Sequence, residues 1–337
     1  MAVTHALAGE EIQIRGGEYI VPFGGWKFAN SGTASMPIRF SNFPGEQVVL
    51  KIDQVTNNNY PAFQCWVAPS DPPNWQTPKA DFIQILGSDV ESRILSNGVS
   101  SNKGIVILGL PGEQSQGIAA AGCDYWEVGG VDFIETATGI FTLRNGDSPD
   151  GWYVHNNRVY NFYRESGMQF NGSLNTIDSN EFYKVSDELY TSYGCQMLNL
   201  LGHGNIVRGN MLSRLGSTAN CGGILMEWDL ADENIVEQNQ ILDVPWGVEF
   251  EGGDHNIIRN NIIVAMQGSR RGGIEIASYN NQTSWPCNDN IITNPNDPDY
   301  RFYHPYNCHS VGNQIYNNTI HGFRSGIYLY LVFPEGT

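Results

Sequence analysis

The chain has 337 residues, with 38 Gly, 12% aromatic and 16% charged residues, and a net charge of −17 from 18 Lys+Arg against 35 Asp+Glu. That balance argues against nucleic acid, whose phosphates reward clustered cations, and against anionic membrane surfaces. No run of 18 or more apolar residues offers a membrane span, and the acidic excess suits a soluble extracellular protein that could hold a hard cation such as Ca²⁺.

The opening Met1-Ala2-Val3-Thr4 lacks the basic and apolar regions of a signal peptide, so it reads as a mature secreted chain behind an added initiator Met, an opening that an intracellular protein would share. Residues 8–19, 31–40 and 44–50 alternate apolar and polar residues between Gly and Pro, which predicts short strands and turns. Residues 52–80, rich in Asn, Pro and Trp, read as an excursion from this pattern.

From Ser148 onward one phrase recurs: Asn, two apolar-rich positions, two polar positions, Asn. It appears as Asn175–Asn180, Asn205–Asn210, Asn234–Asn239, Asn256–Asn261 and Asn313–Asn318, with a degenerate copy at Trp152–Asn157. The second Asn falls at 157, 180, 210, 239, 261 and 318, in steps of 23, 30, 29, 22 and 57. A second phrase, Gly followed by alternating apolar residues, accompanies it at Gly139, Gly167, Gly223, Gly247, Gly273 and Gly326. A period of about 22–30 residues holding two or more short strands is the signature of a solenoid. The prediction is an all-β, right-handed parallel β-helix of roughly ten coils, one domain over 1–337, with excursions near 52–80 and 279–312. The recurring Asn suits a turn position with left-handed backbone, its amide stacking on the next coil.

Six cysteines, Cys65, Cys123, Cys195, Cys221, Cys287 and Cys308, show no zinc spacing. Cys287 and Cys308 bracket a loop and predict a disulfide closing it. Cys195 and Cys221, one repeat apart, can meet on neighbouring coils. An even count suits an oxidising compartment, with free buried cysteines as the alternative. Asn171-Gly-Ser, Asn281-Gln-Thr and Asn317-Asn-Thr are glycosylation sequons, which would make the chain a glycoprotein.

On these phrases the chain resembles the right-handed parallel β-helix (pectate-lyase-like) superfamily, and its Asn-Ile-Val-x-x-Asn coils resemble the alginate lyase and chondroitinase B branch. The resemblance implies a ligand site on the outer face of one parallel sheet. Counting two and four residues from each Gly places Gln169 and Asn171, Leu225 and Glu227, Glu249 and Glu251, and Glu275 and Ala277 on the outside. Burial of Leu198 and Leu200 would point Asn199 out beside Glu227. Glu227, Glu249, Glu251 and Glu275 thus crowd onto three coils, and like charges so placed need a cation, shared protons or cationic neighbours. Arg270 and Arg271 stand ready to be those neighbours.

In the resembled branch an Asn and a neighbouring Glu-x-Glu hold Ca²⁺; here Glu249-Phe250-Glu251 matches, with Asn199 or Glu227 as partner. That branch also places a Lys shortly after the Glu-x-Glu and an Arg on the next coil. This chain has Gly252-Gly253-Asp254-His255 in the first place and no Arg within Gly273–Ser278, and its one Lys after position 103 is Lys184. A hydrolase needs only two carboxylates. The candidate catalytic groups are Glu251 foremost as general acid, then Glu227, Glu275, His255 and Arg271; the candidate substrate contacts are Trp228, Trp246, Tyr279 and Arg270. His203 and His255 also read as turn formers, and outward Glu residues as a solvated face paired with Arg. The expected function is a secreted, carbohydrate-active protein that cleaves a polysaccharide, by lyase or hydrolase chemistry. The alternatives are a non-catalytic glycan-binding or adhesive module, or a structural solenoid joined to a larger assembly through its C-terminal end.

Overall fold

The computed structural model describes residues 2–22, 24–53, 60–66, 77–110, 115–143, 149–188, 194–227, 231–269, 271–278 and 310–331. Three parallel ten-stranded sheets run side by side, each coil giving one strand to each. This is a right-handed parallel β-helix of ten coils. We number the coils from the N-terminus and the sheets one to three in the order each coil visits them. Coil seven, for example, comprises Ile206–Arg208, Met211–Ser213 and Cys221–Glu227. No helix among the described residues is long and apolar enough to cross a membrane.

Alternation within each strand builds the core. In sheet one the short strands each send one apolar residue inward, and Val128, Val154, Ile177, Val207, Val236 and Ile258 stack in register on successive coils. All six are fully buried. No coil could bury these side chains without its neighbours, so the core is continuous along the axis. The recurrent Gly has its own reason. It enters sheet three where the backbone passes over the inward residue of sheet two, and a Cβ on Gly223 would lie 2.7 Å from Ile241 Cγ2.

Both Asn residues of the repeated phrase form ladders. The amide N–H of Asn180 donates to Asn210 Oδ1 at 2.8 Å, and that of Asn210 to Asn239 Oδ1 at 2.9 Å. One phrase-length earlier, Asn175 N–H donates to Asn205 Oδ1 and Asn205 N–H to Asn234 Oδ1. The side chains therefore satisfy backbone donors that the bend between sheets would leave unpaired. The left-handed conformation belongs to the residue before the second Asn, not to the Asn itself: Asn156, Ser179, Gly209, Gln238, Asn260 and Asn317 have φ of 54–66°. The sequence expectation is corrected on this point. The Asn amide can reach the next coil because its predecessor makes the turn.

The segment 52–80 contains a strand of sheet three, Tyr60–Trp66, paired with Ser115–Ala121; residues 54–59 and 67–76 lie outside the described residues. An excursion absent from the sequence expectation is the antiparallel hairpin Asp89–Ile94 with Ser100–Lys103. Leu95 in its turn joins a small second core with Val49, Val106, Leu108 and Ile134 on the outer face of sheet two. Buried Asp132 fastens it, accepting from Arg158 Nε at 3.0 Å and from Ser101 Oγ, while Arg158 also donates to Ser100 O.

Cys195 and Cys221 form a disulfide between coils six and seven, as expected, with Cα atoms 4.4 Å apart. Cys65 and Cys123 form another, with Cα atoms 6.3 Å apart, which the spacing did not suggest. Cys287 and Cys308, and most of the 279–312 excursion, lie outside the described residues.

Candidate functional site

The outer face of sheet three carries two columns. Gln169, Asn199, Leu225, Glu249 and Glu275 align on coils five to nine, and Glu227 and Glu251 align beside them on coils seven and eight. The alternation that buries Ile224, Met226, Val248, Phe250 and Ile274 turns these residues out. They are not a solvated face. Asn199, Glu249 and Glu275 expose 2%, 7% and 3% of their surface.

Arg271, just ahead of the coil-nine strand, resolves part of the crowding. Its Nε donates to both carboxylate oxygens of Glu275, at 3.1 and 2.9 Å. Its Nη2 donates to Glu249 Oε1 at 2.8 Å and also to Glu275 Oε2. Glu275 further accepts the Gly272 N–H at 2.6 Å. The guanidinium lies 5.1 Å from the centroid of Trp246, a ring that packs over Gly222, where a side chain would collide with it. Trp246 is 4% exposed and sits beneath this clamp. Burial still pushes the Glu249 carboxyl above its ordinary range, opposed by the Arg271 charge and reinforced by Glu275.

Glu227 has a different partner. Asn199 Nδ2 donates to Glu227 Oε2 at 2.8 Å, leaving the buried Asn199 Oδ1 without a hydrogen-bond partner. Burial raises the Glu227 pKa; the Asn199 hydrogen bond lowers it and the charge of Glu165 raises it further. The structure thus brings Asn199 beside Glu227 as expected, although in register Asn199 faces Leu225. Glu165, just ahead of the sheet-three strand of coil five, was not singled out in the sequence, because nothing in its spacing ties it to the acidic strands.

His255 occupies a corner before sheet one, with φ of 55°, its N–H on Val311 O and its ring against the Gly312 position. It makes the turn there. His203 bonds Ser173 Oγ through Nδ1 at 2.9 Å, at the equivalent corner. Trp228, Arg270 and Tyr279 lie outside the described residues. Lys184 is fully buried, donating to Phe162 O and Glu188 O at 2.8 Å, and desolvation lowers its pKa to about 8. Enclosed by backbone carbonyls, it holds a corner and does not face the sheet-three columns. As donors for a hard cation, Glu227, Glu251 and the orphaned Asn199 Oδ1 are oxygen groups of the right kind; Glu249 already serves Arg271.

No protein-family model matches the chain, and no curated protein matches it. Solved structures do. A PL6 family polysaccharide lyase from Pseudopedobacter saltans superposes with a TM-score of 0.53 at 12% identity, over 97% of this chain and 75% of that one. An alginate lyase from Paenibacillus sp. str. FPU-7 gives 0.43 at 13% identity, over 96% and 95%. A periplasmic alginate epimerase gives 0.42 at 12% identity, over 96% and 85%. At 12% identity the likeness to the Pseudopedobacter saltans lyase shows the fold alone, the right-handed parallel β-helix.

Proposed function

We propose that the chain is a secreted, carbohydrate-active protein that cleaves glycosidic bonds of a polysaccharide along the outer face of sheet three. The observation that carries this reading is the Glu227–Glu251 pair. One member is desolvated and held by Asn199, and the other stands in register on the next coil. A carboxyl with a raised pKa keeps its proton towards neutral pH and can give it to a leaving-group oxygen. The second carboxylate then acts on the sugar carbon or on water. Adjacent coils lie about 4.8 Å apart, nearer the ~5–5.5 Å carboxyl separation of double-displacement enzymes than the ~6.5–9.5 Å of inverting ones. The roles differ from those read in the sequence: Glu227 becomes the acid and Glu251 its partner. Fold-level analogy to a polysaccharide lyase supports the substrate class. Two disulfides joining coils support an oxidising compartment.

A polysaccharide panel assayed for reducing ends and for unsaturated uronates tests the reading. On the substrate found, Glu227→Gln and Glu251→Gln are each expected to lower kcat by about 10² or more. Full activity in both variants would end the proposal. A non-catalytic glycan-binding module is the second reading, favoured by Arg271, which neutralises two of the four carboxylates; glycan binding without any cleavage would select it.

A further inference from the structure

The outer face of sheet one carries a second ordered group of side chains. On coils two to five a row of hydrogen bonds runs along the axis. Arg39 Nε donates to Gln84 Oε1 at 3.0 Å, and Gln84 Nε2 donates to Glu127 Oε2 at 2.6 Å. Glu127 Oε1 lies 3.1 Å from His155 Nε2, and His155 Nδ1 lies 3.0 Å from Asn156 Nδ2. The guanidinium, the amides and the carboxylate keep hydrogen-bonding capacity beyond these contacts. Two tyrosines flank the row. Tyr153, in register with Glu127, stacks on the His155 ring at 4.3 Å and is 39% exposed. Tyr125, two residues ahead of Glu127, stacks on Phe82 at 4.7 Å and is 53% exposed.

The Phe82–Tyr125 pair sits on strained backbone. The two residues have φ of 55° and 58° at the corner entering sheet one, a conformation in which bulky side chains are outliers. On coils five, seven and ten the same corner is made by Gly151, Gly204 and Gly312, which adopt positive φ without that strain. Strain of this kind costs at least what one ring stack returns. Stacking alone therefore does not account for a tyrosine that stays more exposed than buried. Three classes of ligand stack on aromatic rings. Nucleic-acid bases are disfavoured by the net charge of −17. Protein interfaces set their aromatic anchors among groups that exclude water. Here the side chains in register around the tyrosines are Gln84, Glu127 and Thr176, with exposed Leu174 at the corner. A sugar fits both parts of the surface: its apolar C–H face covers a tyrosine ring, and its hydroxyls meet the donors and acceptors of the row.

We propose that sheet one carries an accessory, non-catalytic glycan-binding site, with Tyr125 and Tyr153 as platforms for sugar rings of one glycan and Arg39, Gln84, Glu127 and Asn156 as partners of its hydroxyls. The two tyrosines lie one coil and two residues apart, about 8 Å at the backbone, a distance that one oligosaccharide spans. The site is on a different sheet from Glu227 and Glu251, so it stands whether or not sheet three cleaves. On a long polysaccharide it acts as a tether, raising the effective concentration of the polymer at the protein.

The test uses the whole chain in native gels containing a soluble polysaccharide: xylan, mannan, glucan, alginate, polygalacturonate or chondroitin sulfate. Two substitutions remove the rings with residues the fold already uses. Tyr125→Gly takes the residue found at this corner on coil five, and Tyr153→Thr takes the residue in register on coil six. Each is expected to weaken retardation by at least one polysaccharide about threefold to tenfold, and the two together about tenfold or more, with cooperative melting retained. Tyr125→Phe and Tyr153→Phe keep the rings and should stay within about twofold of the wild type. No retardation by any polysaccharide, or equal retardation of the wild type and the double variant, overturns the proposal. Sedimentation of the same proteins identifies the alternative: self-association lost in the double variant, with retardation unchanged, makes this face a protein interface. Full cleavage activity in Glu227→Gln and Glu251→Gln sinks the catalytic reading of sheet three and leaves this site standing.

Discussion

Replacing Arg271 by Met should expose how much of the acidic cluster's stability depends on one cation. The substitution keeps an apolar stem over Trp246 and removes the donors at 2.8–3.1 Å that face Glu249 and Glu275. Breaking a buried ion pair by deleting one member costs about 3–5 kcal/mol. The Arg271 side chain is 39% exposed while its partners are 10% and 4% exposed, so solvent screening brings the expectation to about 2–4 kcal/mol. At ~2.1 cal/mol/K per residue the unfolding entropy of this chain is about 0.7 kcal/mol/K, which makes the shift about 3–6 °C in Tm. The loss must depend on pH. Glu249 already has a raised pKa in the fold, and without Arg271 the rise grows. A carboxyl whose folded pKa exceeds its unfolded value binds more protons in the native state across that window, so stability falls as pH rises through it. The variant's deficit should therefore be small below about pH 4.5, the ordinary Glu value, and reach its full size above the raised one. Adding Glu249→Gln and Glu275→Gln should recover most of the loss at neutral pH. Calorimetric melting of the three proteins from pH 4 to 8 decides the matter; an equal Tm deficit at both ends, or none, refutes the neutralisation argument.

Three other outcomes follow from the same structure. Asn210→Ala removes the acceptor for the buried Asn180 N–H and the donor to Ile177 O, and should cost about 1–3 kcal/mol in chemical denaturation; a change below a few tenths would mean the ladder is incidental. Opening the Cys195–Cys221 disulfide by the double Ser variant frees a sequence separation of 26, which the chain-entropy relation values at ~3.5 kcal/mol, or about 5 °C; an unchanged Tm under non-reducing conditions would contradict it. If Glu227, Glu251 and Asn199 hold Ca²⁺, the cation should raise Tm and a chelator lower it, with Glu251→Gln abolishing the difference; titration calorimetry without heat would remove the cation.

The fold is legible in the amino-acid sequence because a solenoid writes its period into the chain. Each coil meets the same neighbours, so the same residue type is selected at the same phase, and Asn180, Asn210, Asn239 and Asn261 repeat for that reason. Alternation likewise predicted that Glu227, Glu249, Glu251 and Glu275 face out together, since strand geometry fixes the side-chain period at two. The hairpin at 89–103 was not legible. Of its apolar residues, Val90, Ile94, Leu95 and Val99, only Leu95 and Val99 pack into the second core, so they leave no inward pattern, and its anchor is a buried Asp132 far away in sequence.

The architecture and the groups presented on one face are written in the chain, because both follow from local periodicity. Which group pairs with which was decided by the tertiary structure alone. Glu249 and Glu275 became partners of Arg271, Glu227 became the desolvated acid beside Asn199, and Lys184 was withdrawn into a corner. Alternation states only that a side chain points inward or outward. Pairing and pKa depend on distances of a few ångströms and on burial, both set by how one coil comes to rest on the next.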